Sequence, residues 1–400
     1  MTSVDEFSLH HPPGRADELF EWFSALRSAG RVQRNDRDGL WHVFGYDECV
    51  RVLSDHTDFS SYLAPAEPDP ADDLAYLVPG SFVLMDPPKH RGYRALTTDI
   101  FNPRLAGLLE RQTEQAAHDL IDRLPRHGTF DVLNDFSMQL VIPFTSRLLG
   151  LPETEHRMFC EHFQTALQVE SEPAGENRLD DLLPSTRRIR DFLFDHVTRS
   201  RRGDATGLTK LLTTADIDGR AMPDDEIVGL LALLLRTGQG AMLSVANAVL
   251  CLDDNPTAMV ELRDDPGLIP GAVEESLRYR SQSTVVVRKA VREVELAGHT
   301  IAKGAGVALW LAAANRDEQE FDRPAVFDIH RAPNRHLGFG HGVHFCLGAG
   351  LARMQTAVAL RVLLERTRSL VVDRAAVRHC DPRWLMSVYA LPVRAELIPR

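Results

Sequence analysis

Cysteine is scarce and scattered. Five occur in 400 residues, at Cys49, Cys160, Cys251, Cys346 and Cys380, and no two form a CxxC pair. An odd, widely spaced set supplies neither a disulfide framework nor a zinc knuckle, so a thiol with a task would act alone. Positive charge is in deficit: 45 Lys and Arg face 57 Asp and Glu, a formal net charge of −12. Nucleic acid and anionic membranes are themselves negative, which argues against both as general partners while leaving room for a local basic patch. Long apolar runs are also missing. The most apolar stretch, 227–235, is followed by Arg236, Gly238, Gln239 and Gly240, well short of the roughly 20 residues that span a bilayer. Residues 1–14 carry Asp5, Glu6 and two prolines but no cationic segment or apolar core. The expectation is a protein without a targeting signal, soluble and cytoplasmic.

What is present is ordinary globular material, 44% hydrophobic and 26% charged, above the composition of a disordered chain. Length allows two or three domains at about 150 residues each. No repeat, low-complexity tract or composition shift marks a boundary, so one domain over 1–400 is expected. Apolar residues recur at three- and four-residue spacing over 16–29, 104–124, 185–200, 224–252, 270–280 and 347–366, which predicts helices. Asp224 and Asp225 after Pro223 suit the positive start of the longest one. Strand-like patterns are short: 40–44, 285–287, 294–296 and 306–310. Residues 315–334 read as a polar meander, and the acidic, proline-bearing stretches 64–73 and 171–181 as surface loops or lids. The fold class expected is mainly α with small β-sheets.

The most informative segment runs Phe339-Gly340-His341-Gly342-Val343-His344-Phe345-Cys346-Leu347-Gly348. Its glycines make a tight loop, and the helical pattern that follows puts Cys346 at or just before a helix start. Backbone N–H groups and the helix dipole there favour a thiolate, which soft or borderline metals prefer. With no second cysteine nearby, zinc and iron–sulfur clusters fit poorly. One axial thiolate on a flat cofactor fits, namely heme. The plain alternative is a structural cysteine beside a glycine turn.

The arrangement Phe-x-x-Gly-x-His-x-Cys-x-Gly resembles the heme-binding loop of the cytochrome P450 family, and the resemblance extends in order along nearly the whole chain. Glu275-Ser276-Leu277-Arg278 matches the family's ExxR helix, where residues three apart share a face, and Arg331 matches its partner. The resemblance implies a single-domain cytochrome P450 fold over 1–400 and heme b on Cys346. It implies contacts to the cofactor from His90, Arg94, Arg288, Phe339, His344 and Gly348, with His90 and Arg94, four apart on one helix face, reaching a propionate. It implies ferredoxin and ferredoxin reductase as electron donors, since no flavin or NAD(P)H module is present. It places Leu84, Met85, Arg236, Thr237, Gly240, Ala241, Val286, Val287 and Leu385 around a small-molecule substrate, although each apolar one could equally be core.

One departure bears on mechanism. Family members carry an acid and an alcohol on the central helix that help deliver protons for O–O cleavage. Here those places hold Gly240 and Ala241. A positioned proton-transfer group is worth about 10²–10⁴ in rate. Protons would then come through ordered water, Gln239 or the substrate. Alternatively the enzyme performs non-oxygenating or peroxide-driven chemistry, such as coupling, desaturation or rearrangement. Arg236 interrupts the apolar run, and is either turned aside to a loop acid or anchors a substrate anion. The −12 total conceals a basic run: residues 330–353 hold three arginines, four histidines and no acid. With Lys89, Arg91 and Arg104 it could form a docking face for an acidic ferredoxin.

Overall fold

The computed structural model describes residues 16–63, 75–98, 103–171, 178–204, 206–217 and 219–400. Helices dominate them: α1 (Ala16–Ala29), α2 (Tyr46–Ser54), α3 (Lys89–Thr98), α4 (Pro103–Ile121), α5 (Met138–Leu149), α6 (His156–Ser171) and α7 (Arg178–Arg199), then α8 (Gly207–Thr213), α9 (Asp224–Asp254), α10 (Pro256–Asp264), α11 (Ile269–Tyr279), α12 (Leu311–Ala314) and α13 (Ala349–Arg366). The chain divides into two compact units that interleave in sequence. One comprises 1–63, 247–346 and 379–388, the other 64–246, 347–378 and 389–400.

The first unit is built on a five-stranded sheet in the order Val32–Arg34, Trp41–Val43, Gly306–Leu309, Val286–Ala290, Phe59–Ser60. Trp41–Val43 and Gly306–Leu309 run parallel and the other pairs antiparallel. Val43, Val307 and Leu309 bury a core with Cys49, Val52 and Leu53 of α2. Alternation at 285–287 locates the strand but not its length, because the half-buried Arg288 and exposed Lys289 continue it.

In the second unit α4 packs on α13, α6 on α7, and α5 on both α6 and α8. A three-stranded sheet joins His127–Asp131 to Pro392–Leu397 and Thr367–Val372. α9 begins with Asp224, Asp225 and Glu226, acids that suit its N-terminal dipole. By length and composition it would span a bilayer, beyond what the count of consecutive apolar residues suggested, yet 72% of its most apolar window is buried in the molecule. Its first turns meet residues 75–84 backbone to backbone. A Cβ on Gly229 would collide with the Pro79 carbonyl, and one on Gly80 with that of Glu226. Two loop expectations are affected. Residues 64–73 lie outside the described residues. Of 171–181, Ser171 ends α6, 172–177 lie outside the described residues, and Arg178 opens α7, which runs through Pro184. The helix thus starts seven residues before the 185–200 pattern.

Candidate functional site

The Cys346 loop is shaped by its backbone. The Cys346 N–H donates to Phe339 O at 2.9 Å, Phe345 N–H to Gly342 O at 3.0 Å, and Gly340 N–H to Leu337 O at 2.8 Å. Gly340 and Gly342 adopt φ of +69° and +70°, a region that favours glycine. A Cβ on Gly342 would also lie 2.5 Å from Leu53 O. Phe339 and Phe345 meet edge to face at 6.4 Å. α13 begins at Ala349, so Cys346 stands three residues before it rather than at its first turn, because Leu347 and Gly348 extend the loop. Of the five cysteines, Cys346 is half-buried and the other four are buried. Burial pushes the Cys160 thiol up to about 11 and Cys251 up to about 12, and raises Cys49 too. Those three are held as thiols, leaving Cys346 as the accessible sulfur.

Beneath the same unit, Glu275 is fully buried and accepts five N–H groups. Arg278 donates Nε and Nη2 at 2.8 and 2.7 Å, Arg331 Nε approaches at 3.1 Å, Asn334 Nδ2 at 3.0 Å, and Asp328 N–H at 2.9 Å. Arg278 spends its remaining donors on the carbonyls of Asn315, Pro324 and Val326. The ExxR pair is therefore the knot of the 315–334 meander. Three of the seven basic residues in the run 330–353 meet acids from elsewhere in the sequence: His330 meets Glu261, Arg331 meets Glu275 and His336 meets Glu274. The expected basic face shrinks accordingly. Arg288 lies on the Val286–Ala290 strand, half-buried, opposite Val307. His344 is half-buried in the one-turn helix Gly342–His344.

In the other unit His90 and Arg94 both lie on α3, four apart and so on one face. His90 is buried, with Phe82 edge-on at 5.8 Å, and Arg94 is half-buried. Tyr93 ties α3 to the start of α9 by donating its hydroxyl to Glu226 at 2.6 Å. A hollow of about 40 Å³ is bounded by Thr237, Gly238 and Ala241 of α9 and by Gly348, Ala352 and Gln355 around α13. A Cβ on Gly348 would meet nothing within 4 Å. Gln355 Nε2 is buried without a hydrogen-bond partner among the described residues.

These observations fit a heme held by one thiolate. The accessible cysteine ends a loop tied by backbone hydrogen bonds. Within the other unit, Gly238, Ala241 and Ala352 leave the small hollow beside Gly348 without bulky side chains. Among the described residues no cluster of three His, Cys, Asp or Glu could hold a metal without such a cofactor.

A larger cavity of about 440 Å³ lies within the same unit. Tyr76 and Leu77, His162 and Phe163 of α6, Thr186 and Ile189 of α7, and Ala232, Leu235, Arg236 and Gln239 of α9 are among its walls. α9 thus divides its predicted contacts. Arg236 faces this cavity with Gln239, whereas Thr237 and Ala241 face the smaller hollow, and the Thr237 hydroxyl donates to Leu234 O at 2.7 Å. Gly240, Leu84, Met85, Val286, Val287 and Leu385 line neither cavity. Met85 is buried, and Val286 packs on the first unit's core. Tyr76, His162 and Thr186 escaped the sequence reading. They lie on segments whose mutual packing no local pattern reveals, and a polar residue on an otherwise apolar helix face is their only signal.

Residues 126–398 match the family model described as cytochrome P450. The erythromycin C-12 hydroxylase of Saccharopolyspora erythraea is 33% identical over 411 residues, covering 100% of this chain and 99% of that protein. The cyclomarin C epoxidase CymV of Salinispora arenicola is 34% identical over 365 residues, 91% of this chain and 92% of its own. Among solved structures, the post-tailoring hydroxylase HmtN, involved in himastatin biosynthesis, superposes with a TM-score of 0.85 at 32% identity, over 98% of this chain and 100% of that one.

Proposed function

The chain belongs to the cytochrome P450 family and is an oxidoreductase, and from that premise we propose that it is a heme-thiolate monooxygenase acting on a small, largely apolar secondary metabolite that can carry an anionic group. Residues 1–400 are read as one cytochrome P450 domain, in keeping with the full-length match to the erythromycin hydroxylase. Family membership implies a heme-iron cofactor, and we assign it as heme b. Cys346 would supply the thiolate that holds it, His90, Arg94, Arg288 and His344 would meet its propionates, and Phe339 and Gly348 would pack beside it. Burying propionates without cationic donors would be costly, hence the several partners. When bound, the heme would supply dioxygen activation, which thiolate ligation favours.

The observation that carries this reading is the Phe339–Gly348 loop with its single accessible cysteine. The rest of the chain binds, orients and excludes water. Gln239 is an amide and cannot act as an acid, so its part in proton supply is to orient water or a substrate hydroxyl or acid. Members of the family act on small molecules with electrons from redox partners. Here we propose a ferredoxin and its reductase, with Lys89 and Arg91, both exposed, as docking cations. We read the protein as cytoplasmic, in keeping with the burial of α9 inside the molecule.

A second reading is favoured by Gly240 and Ala241: heme-thiolate chemistry without oxygen insertion, such as coupling, desaturation, rearrangement or peroxide-driven oxidation. Turnover under ¹⁸O₂ separates the two. One labelled oxygen atom per product is expected. Unlabelled product, with exchange into water excluded, selects the second reading.

A further inference from the structure

Resting on the heme-thiolate reading, we propose that the hollow bordered by α5, α9 and α13 is a buried water site anchored by Gln355, and that its water is the proton carrier standing in for the acid and alcohol that α9 lacks. The walls belong to one compact unit and include Thr145 on α5, Thr237 and Ala241 on α9, and Ala352 and Gln355 on α13. A volume of about 40 Å³ admits about two or three water molecules. It is too small for an organic ligand, and none of its lining residues is charged, which disfavours an ion.

Gln355 is the independent sign of an occupant. It is 1% exposed, and its Nε2 has no hydrogen-bond partner among the described residues. A buried amide left dry is destabilising, whereas methionine would fill a similar volume on a helix without that cost. Nearby oxygens complete a shell. The Thr237 hydroxyl spends its proton on Leu234 O and leaves its oxygen as an acceptor. Gly238 makes room for the Thr145 hydroxyl, whose Oγ1 would lie 3.0 Å from a Cβ there. An amide and two hydroxyl oxygens meet the about two to four polar partners that a buried water requires.

Water both donates and accepts, so it can pass on a proton where an amide can only orient its carrier. Ala241 lines the hollow from the place that carries the alcohol in the family. Gln239 faces the larger cavity instead. The stored water thus adjoins the gap the alcohol leaves, and a proton it gives up is replaced from bulk solvent.

The test begins with crystals of the heme-loaded protein. Ordered water is expected in the hollow within about 2.7–3.2 Å of the Gln355 carboxamide, and pressurised xenon, which fills dry apolar cavities, should stay out. Q355M should lose the water and admit xenon, whereas Q355E should retain the water. A dry or xenon-filled hollow in the parent protein, or water retained in Q355M, overturns the site. Cumene hydroperoxide then reads the proton without a known substrate. When its O–O bond breaks with a proton supplied, the electron pair and the proton go to the departing oxygen. The product is 2-phenyl-2-propanol, and the cofactor is oxidised by two electrons. Without the proton the bond splits evenly, the cofactor loses one electron, and the cumyloxyl radical sheds a methyl radical to give acetophenone. The ratio of alcohol to acetophenone should fall about tenfold or more in Q355M and return to within about twofold of the parent value in Q355E, as a positioned proton carrier requires. An unchanged ratio in Q355M overturns the carrier role. Far-UV circular dichroism checks that each variant folds, and the reduced, CO-bound spectrum keeps the two failures apart. A missing thiolate band in the parent protein sinks the heme-thiolate reading and the carrier role with it, while the water site stands or falls by the crystals alone.

Discussion

E275A is expected to cost roughly 3–5 kcal/mol of folding stability, the penalty for removing one partner of a buried ion pair. Glu275 is fully buried and receives five N–H groups from Arg278, Arg331, Asn334 and Asp328. Its loss leaves the Arg278 guanidinium, itself fully buried, with only carbonyl oxygens around it. The damage would spread beyond the pair, since Arg278 and Arg331 also hold the carbonyls of residues 315–326. E275Q retains shape and one acceptor oxygen but turns an NH₂ toward donors, so an intermediate loss is expected. Urea unfolding of both variants, followed by far-UV circular dichroism, measures this. A loss below about 1 kcal/mol in E275A, the scale of an exposed pair, would show that the network is not a structural knot.

The second large effect concerns Cys346. C346A is expected to abolish the red-shifted Soret band of the reduced, CO-bound protein. It should also lower turnover by more than the about 10–100-fold that loss of a residue merely hydrogen-bonded to a ligand costs. C346H can keep heme by offering an imidazole, but its CO spectrum should resemble that of a histidine-ligated heme. Serine at Cys49, Cys160, Cys251 or Cys380 should leave the band unchanged, because these sulfurs are buried. Folding of each variant is checked by far-UV circular dichroism. Retention of the thiolate band in C346A would falsify the ligand assignment.

The features readable from sequence are those whose geometry is local. The Glu275–Arg278 pair follows from three-residue spacing on a helix, the start of α9 from its run of acids, and the Cys346 loop from glycines placed where φ must be positive. The three-stranded sheet was hidden because its strands come from 127–131, 367–372 and 392–397. The first of these opens on exposed His127, Gly128 and Thr129. α7 was cut short because Pro184 and its neighbouring acids carry the signals of a loop, while tertiary packing carries the helix through them. Arg236 could be recognised as an anomaly but not aimed. A one-residue step on a helix turns a side chain by about 100°, and that step sends Arg236 and Thr237 to different hollows. The partners of His330, Arg331 and His336 in the run 330–353 were unreadable for a related reason, since Glu261, Glu275 and Glu274 lie about 60 residues earlier.

The backbone contacts at Gly80 and Gly229 bear on how this enzyme can diverge. Where two main chains touch without intervening side chains, even alanine is excluded, so the wall carrying Tyr76 is mutationally frozen against α9. α6 and α7 present their side chains to the cavity through ordinary helix packing, in which volume-conserving exchanges are tolerated. New ligand range should therefore accumulate at positions such as Phe163, Leu182 and Ile189. The tethered wall would act as a fixed reference, making the protein evolvable on one side of its cavity and conservative on the other.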